Sequence, residues 1–193
     1  MIFEIASDVW LSARNLGCAP TPAVSSAQAR TLLADLVRSV MPWMAGSKIM
    51  RAPSGAPEIA GAEHVRVSLS HDGPWVAAAV AVDRTVGVDV QVPLTGASRR
   101  LVRRCLGRYA PLVDRLSEDR RDEELAWVWT VQESCVKARG MGLNGCPWAV
   151  DVPPFHWTGR TDELTWRSLR GVLDVPLSCA YGESGRCIGS TGT

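Results

Sequence analysis

The sequence lacks the marks of several functional classes. None of its six cysteines (Cys18, Cys105, Cys135, Cys146, Cys179 and Cys187) forms a Cys-x-x-Cys pair, the spacing that zinc sites and redox motifs use. Reduced, mostly packed thiols are expected. No window approaches the roughly 20 apolar residues of a membrane span. The N-terminal MIFEIASDVW has neither the basic flank nor the sustained apolar stretch of a leader, so a cytoplasmic protein without membrane contact is expected. No internal repeat is apparent. The formal net charge is only +1, which excludes a global basic field as the means of holding an anion and leaves that task to local clusters.

What is present suits a folded domain. The 193 residues are 46% hydrophobic and 21% charged, enough for one large domain or two small ones. From Ser26 to Val40, the residues Ala29, Leu32, Leu33, Leu36, Val37 and Val40 recur at steps of three and four and predict an amphipathic helix, with Arg30 and Arg38 on its polar face. Pro53, Gly55 and Pro57 make Arg51 to Gly61 a loop. Three strands follow: Val65 to Ser70, the apolar run Trp75 to Val82, and Thr85 to Val92, with a turn at His71-Asp72-Gly73-Pro74. A helix capped by Ser98 buries Leu101, Val102, Cys105, Leu106 and Tyr109, and Pro111 interrupts or restarts it. The longest helix is predicted from Asp122 to Arg139, with Asp122, Glu123 and Glu124 at its positive end and Gly140 as its stop. A Gly-rich turn, an apolar run at Trp148 to Val152, strands at Glu163 to Leu169 and Leu177 to Tyr181, and a frayed tail from Gly182 complete the chain.

Three short elements could carry chemistry. In Thr85 to Val92 the four valines share one strand face, which puts Gly87, Asp89 and Gln91 on the other, with Asp89 and Gln91 about 7 Å apart. Such oxygen donors suit a hard cation, although taken alone these residues are better explained by a half-exposed edge strand with its polar side chains facing water. Glu133 and Lys137 share a helix face, where a plain i,i+4 ion pair is the bland explanation. Ser70 and His71 stand where a strand enters a turn and could donate to an anion, or simply face water.

Their order and spacing resemble the Sfp-type 4'-phosphopantetheinyl transferases. That family has Ser-His after a strand, then Gly-(Val/Ile)-Asp-(Val/Ile)-Glu, then Trp-x-x-Lys-Glu-(Ser/Ala)-x-x-Lys ending in Gly-x-Gly. The counterparts here are Ser70-His71, Gly87-Val88-Asp89-Val90-Gln91, and Trp129 to Lys137 with Gly140-Met141-Gly142. Gly55-Ala56-Pro57 matches the family's Gly-x-Pro loop, so the likeness covers roughly residues 26 to 143.

The resemblance implies an α+β fold of two similar α+β subdomains forming a pseudo-dimer, residues 1 to 95 and 96 to 193, with the active site in the cleft between them and the protein a monomer. It implies Mg²⁺-dependent transfer of the 4'-phosphopantetheine arm of coenzyme A to a serine of an acyl or peptidyl carrier protein, releasing 3',5'-adenosine bisphosphate. Asp89, Glu133 and Gln91 would hold Mg²⁺. Glu133 would also help deprotonate the serine, and Lys137 would neutralise phosphate charge. Ser70 and His71 would contact coenzyme A phosphates, with Arg30 and Arg51 as further clamps. Arg99, Arg100, Arg103 and Arg104, with Arg108 and Arg115, stand against a single nearby acid, Asp114. This basic helix is expected to dock an acidic carrier rather than nucleic acid or membrane. Three residues depart from the pattern: Gln91 for Glu, Gln132 for Lys, and Ala56 at an often basic position. They predict weaker coenzyme A binding or a compensating arginine. Alternatives are a weakened or repurposed member that binds coenzyme A or a carrier without efficient transfer, and a small nucleic-acid-binding module acting through the arginine helix.

Overall fold

The apolar run Trp75–Val82 deals its side chains alternately into two separate cores. Val76, Ala78 and Val80 enter one, and Ala77, Ala79 and Ala81 enter the other. A strand buried on both faces is therefore the centre of a layered structure. The computed structural model describes residues 1–18, 20–141, 145–161 and 163–183. Its elements are β1 (Ile2–Ala6), β2 (Val9–Asn15), α1 (Pro22–Val40), β3 (Ile49–Arg51), β4 (Pro57–Ile59), β5 (Val65–Asp72), β6 (Trp75–Val82), β7 (Val86–Val90), α2 (Arg99–Leu106), α3 (Ala110–Val113), α4 (Glu118–Ala138), β8 (Thr158–Arg160), β9 (Leu164–Ser168) and β10 (Leu177–Gly182).

Two four-stranded antiparallel sheets result, ordered β1-β2-β6-β5 and β7-β10-β9-β8. Helix α1 covers the first sheet with Ala29, Leu32, Leu33, Leu36 and Val37. Helix α4 covers the second, packing Val128, Val131, Cys135 and Ala138 against Trp166 and Ala180. The opposite faces of the two sheets meet: Val9, Leu11 and the odd-numbered alanines of β6 lie against Val86, Val88, Val90, Leu177 and Cys179. The layers are thus helix, sheet, sheet, helix, which bears out the α+β class. β7, although it follows directly after the strands of the first sheet, hydrogen-bonds to β10 of the second.

Several local expectations are corrected. Arg51 to Gly61 is not all loop, because β3 and β4 pair there as a hairpin. Pro57 opens β4, a position that requires no N–H donor, and Gly55 takes φ +88° in the turn. Helix α4 starts four residues earlier than predicted, so its first turn carries Glu118 and Asp119. Asp122 is buried instead, accepting from the N–H groups of Gly96 and Ala97 at 2.7 and 3.1 Å. The Ser98 cap and the Gly140 stop are as expected: Ser98 Oγ accepts from Leu101 N–H at 3.3 Å, and Gly140 has φ +69°. β1, β2 and β8 were not anticipated. Gly142, Cys187 and the tail from residue 184 lie outside the described residues. Cys105, Cys135 and Cys179 are buried and Cys18 and Cys146 exposed. Among the described residues no helix is long and apolar enough to cross a membrane.

Candidate active site

The site is built on a side-chain seam between the two sheets. β5 and β7 are edge strands of different sheets, so backbone groups of β7 lack a strand partner on that side. The even-numbered residues of β5 supply one. Ser68 Oγ accepts from Val88 N–H at 3.1 Å, Ser70 Oγ from Val90 N–H at 3.4 Å, and Asp72 Oδ2 from Val92 N–H at 2.7 Å. The alternation of strands on both sides sets this two-residue rhythm. All five residues of β7 are buried, which overturns the half-exposed edge strand as an explanation of Asp89.

Gly87 sets the distance between the seam and α4. A Cβ on Gly87 would stand 2.0 Å from the Ser134 carbonyl oxygen and 2.6 Å from Ala138 N, so only glycine lets strand and helix approach so closely. Asp89, two residues on, then reaches α4. Lys137 Nζ donates to Asp89 Oδ1 at 2.6 Å and to the Val88 carbonyl at 3.1 Å. Ser70 Oγ donates to the same Asp89 oxygen at 2.7 Å. Lys137 therefore pairs across the seam with Asp89 and not along its helix with Glu133. Asp89 is 6% exposed, and a carboxylate so enclosed needs these donors.

Glu133 lies half-buried one turn before Lys137. Burial, and next the charge of Asp89, push its carboxyl pKa up, against the pull of Lys137. Two neighbouring carboxylates in partial burial form an arrangement that a divalent cation would relieve. Among the described residues no three His, Cys, Asp or Glu side chains form a metal-holding group. That donor set fits Mg²⁺ in one way: the ion takes one or two carboxylates and completes its shell with water and phosphate oxygens.

Arg30, Arg51, Ser70, His71, Asp89 and Lys137 line a single cavity of about 410 Å³, together with Gly55 and Pro57 of the hairpin. They arrive from α1, the β3–β4 hairpin, β5, β7 and α4. Gln91 does not join them. It lines a neighbouring apolar cavity of about 210 Å³ with Leu94, Leu101, Leu125 and Trp129. On α4, Trp129 of the apolar cavity and Lys137 of the basic one stand one turn to either side of Glu133.

Of the three departures, Gln132 points elsewhere. It is 1% exposed, and its Nε2 donates to the Cys105 and Val150 carbonyls at 2.8 and 3.0 Å, tying α4 to α2 and the segment after α4. Ala56 lines a further cavity of about 310 Å³, which holds Arg66, Lys137 and Arg139 and the acid Glu58. On α2, Arg99, Arg100 and Arg103 are exposed, while Arg104 stacks over Trp148 with 3.7 Å to the ring centroid. Arg108 pairs with Asp151, an acid remote in sequence, so the arginine face is less one-signed than expected.

Sequence reasoning missed Ser68 and Asp72. Their signal was present as small polar residues at alternate positions through Ser68, Ser70 and Asp72, opposite Val65, Val67 and Leu69. No family model matches the chain, and no curated protein matches it.

Proposed function

We propose that the chain is a 4'-phosphopantetheinyl transferase, moving the phosphopantetheine arm of coenzyme A onto a carrier-protein serine. The observation that carries this reading is the convergence of Arg30, Arg51, Ser70, His71, Asp89 and Lys137 on one cavity, with the Glu133 carboxyl close enough to feel the charges of Asp89 and Lys137. Five cationic or hydrogen-bonding side chains beside a carboxylate pair suit a polyphosphate ligand accompanied by a divalent cation. The helix-sheet-sheet-helix layering supports two packed halves, each a long helix on a four-stranded sheet, with the ligand at their junction.

Transfer requires that the serine oxygen form a bond to the pantetheine-bearing phosphorus while the bond to the bridging oxygen breaks. 3',5'-Adenosine bisphosphate departs with that oxygen. Asp89 and Glu133 would hold Mg²⁺, whose Lewis acidity draws charge from the pyrophosphate. Arg30, Arg51 and His71 bind the anionic groups, and Ser70 braces Asp89. Lys137, whose ammonium stands beside Asp89 on the cavity wall, would supply positive charge to the leaving phosphate. Glu133 accepts the serine proton, a role favoured by its raised pKa. The basic cavity takes the nucleotide end and the apolar cavity beside Trp129 lies on the side of the transferred arm. Arg99, Arg100 and Arg103 dock an acidic carrier next to that cavity.

The test mixes the protein with a fluorescent coenzyme A analogue, Mg²⁺ and a panel of apo carrier proteins. Covalent labelling of a carrier is expected, and Glu133→Ala should abolish it. Absence of labelling on every carrier, together with unaltered coenzyme A binding by Glu133→Ala, removes the proposal. Tight coenzyme A binding without labelling at any Mg²⁺ concentration would identify a binding protein instead.

A further inference from the structure

Gln91 and Asp72 meet at the last rung of the β5–β7 seam. Gln91 Nε2 donates to Asp72 Oδ2 at 2.6 Å and to the Val92 carbonyl oxygen at 3.3 Å. The same Asp72 oxygen also accepts from the Val92 N–H at 2.7 Å. An ionised carboxylate and a carbonyl are both acceptors only, so the NH₂ end of the amide must lie between them. A flipped carboxamide would set oxygen against two oxygens. Oε1 is thereby turned away from Asp72, and it takes no hydrogen bond among the described residues. Gln91, the residue after β7, also faces α4, since it borders Ala126 and Trp129.

We propose that Asp72 is a positioning residue for the cation site. It fixes the Gln91 carboxamide so that Oε1 is offered as a neutral oxygen on the Asp89–Glu133 side, and it keeps beside Gln91 the negative charge that the amide does not carry. This inference rests on the assignment of Asp89 and Glu133 to Mg²⁺. It accounts for a metal-binding strand that bears an amide at residue 91: the charge stands one strand away, on β5, joined to the amide by a 2.6 Å hydrogen bond.

The experiment titrates Mg²⁺ calorimetrically into the full chain in the presence of coenzyme A. Asp72→Asn keeps an acceptor for Val92 N–H but can donate to Gln91 Oε1, which permits the flipped amide. Its Mg²⁺ dissociation constant should rise about 10-fold, the size of effect typical of groups that orient metal ligands, with metal-free coenzyme A affinity unchanged. The double variant Asp72→Asn/Gln91→Glu reverses donor and acceptor and restores the charge, so its affinity should return to the wild-type value or better. Wild-type affinity in Asp72→Asn, or a double variant no better than the single one, overturns the inference alone. Failure of the wild-type protein to bind Mg²⁺ overturns it together with the transferase reading. Should Asp72→Asn not fold, NMR of the wild-type protein decides: the Gln91 side-chain NH₂ should be slow to exchange, and solvent-averaged signals overturn the inference.

Discussion

Lys137 Nζ and Asp89 Oδ1 are 2.6 Å apart, joining α4 to β7 in the wall of the basic cavity. Each partner is the other's only ion-pair contact among the described residues. Removing the lysine strands an enclosed carboxylate that keeps only the Ser70 hydroxyl as donor. Lys137→Ala should therefore lower stability by about 1 to 2 kcal/mol, read as a lower Tm in metal-free buffer. It should also cut kcat for carrier labelling by about 10² or more. Added Mg²⁺ should recover part of the lost Tm but none of the lost rate. Full stability in metal-free buffer would contradict the pairing.

Glu133 gives a pH prediction of definite sign. Its folded pKa lies above the unfolded value because of burial and then Asp89, so the fold prefers the protonated acid. Its stabilising contribution is complete below the unfolded glutamate pKa, about 4.3, and is lost as pH rises through the higher folded value. Glu133→Gln should thus match the wild type at acid pH and melt higher at neutral pH, by about 2 °C, while carrier labelling disappears. Thermal melts across the acid-to-neutral range test this. Mg²⁺ affinity of the wild type should climb over the same interval, since only the carboxylate form binds.

Gly87→Ala tests the closeness of β7 and α4. The added Cβ meets backbone atoms, Ser134 O at 2.0 Å and Ala138 N at 2.6 Å, which cannot swing aside as a side chain can. A loss of about 3 kcal/mol is expected, visible in denaturant midpoints. Whatever folded protein remains should bind coenzyme A weakly, because α4 would be displaced along with Glu133 and Lys137.

Charge reversal at Arg99, Arg100 and Arg103 should lower kcat/KM for the carrier about 10-fold and flatten its dependence on salt. The KM for coenzyme A should not move. Arg108→Ala serves as the contrast, for its charge is already matched by Asp151 and its removal should leave the salt dependence nearly intact. Equal effects from both would argue against a docking role for the first three.

The parts of the fold that sequence made legible are those whose periodicity spans many residues. Leu32, Leu33, Leu36 and Val37 marked α1, and the valines of β7 marked one buried face. β1 and β2 escaped because IFEIA and VWLSARN mix polar and apolar residues without a sustained rhythm. The β3–β4 hairpin has only three residues per strand, too few to show a period. The candidate site was legible in part: Arg30, Arg51, Ser70, His71, Asp89 and Lys137 share a cavity, whereas Gln91 lines a neighbouring one. Its pairings were not legible. Nothing local says that Lys137 prefers Asp89 over Glu133, or that Gln132 turns inward to the Cys105 and Val150 carbonyls. Those choices depend on which groups a neighbouring element leaves without partners.

The rungs formed by Ser68, Ser70 and Asp72 have a consequence for how the chain avoids its own kind. Two exposed strand edges in one small protein would each invite a neighbouring molecule to add a strand, the usual start of aggregation. Here each edge hides the other. Side chains as short as these cannot span a widened gap, so the seam is either shut along its length or open altogether. Opening it would expose both edges at once, and a partly opened chain would be sticky as well as inactive. Variants that shorten a rung, such as Ser68→Ala, should accordingly reveal themselves first as a tendency to self-associate on warming, before any loss of helix is measurable.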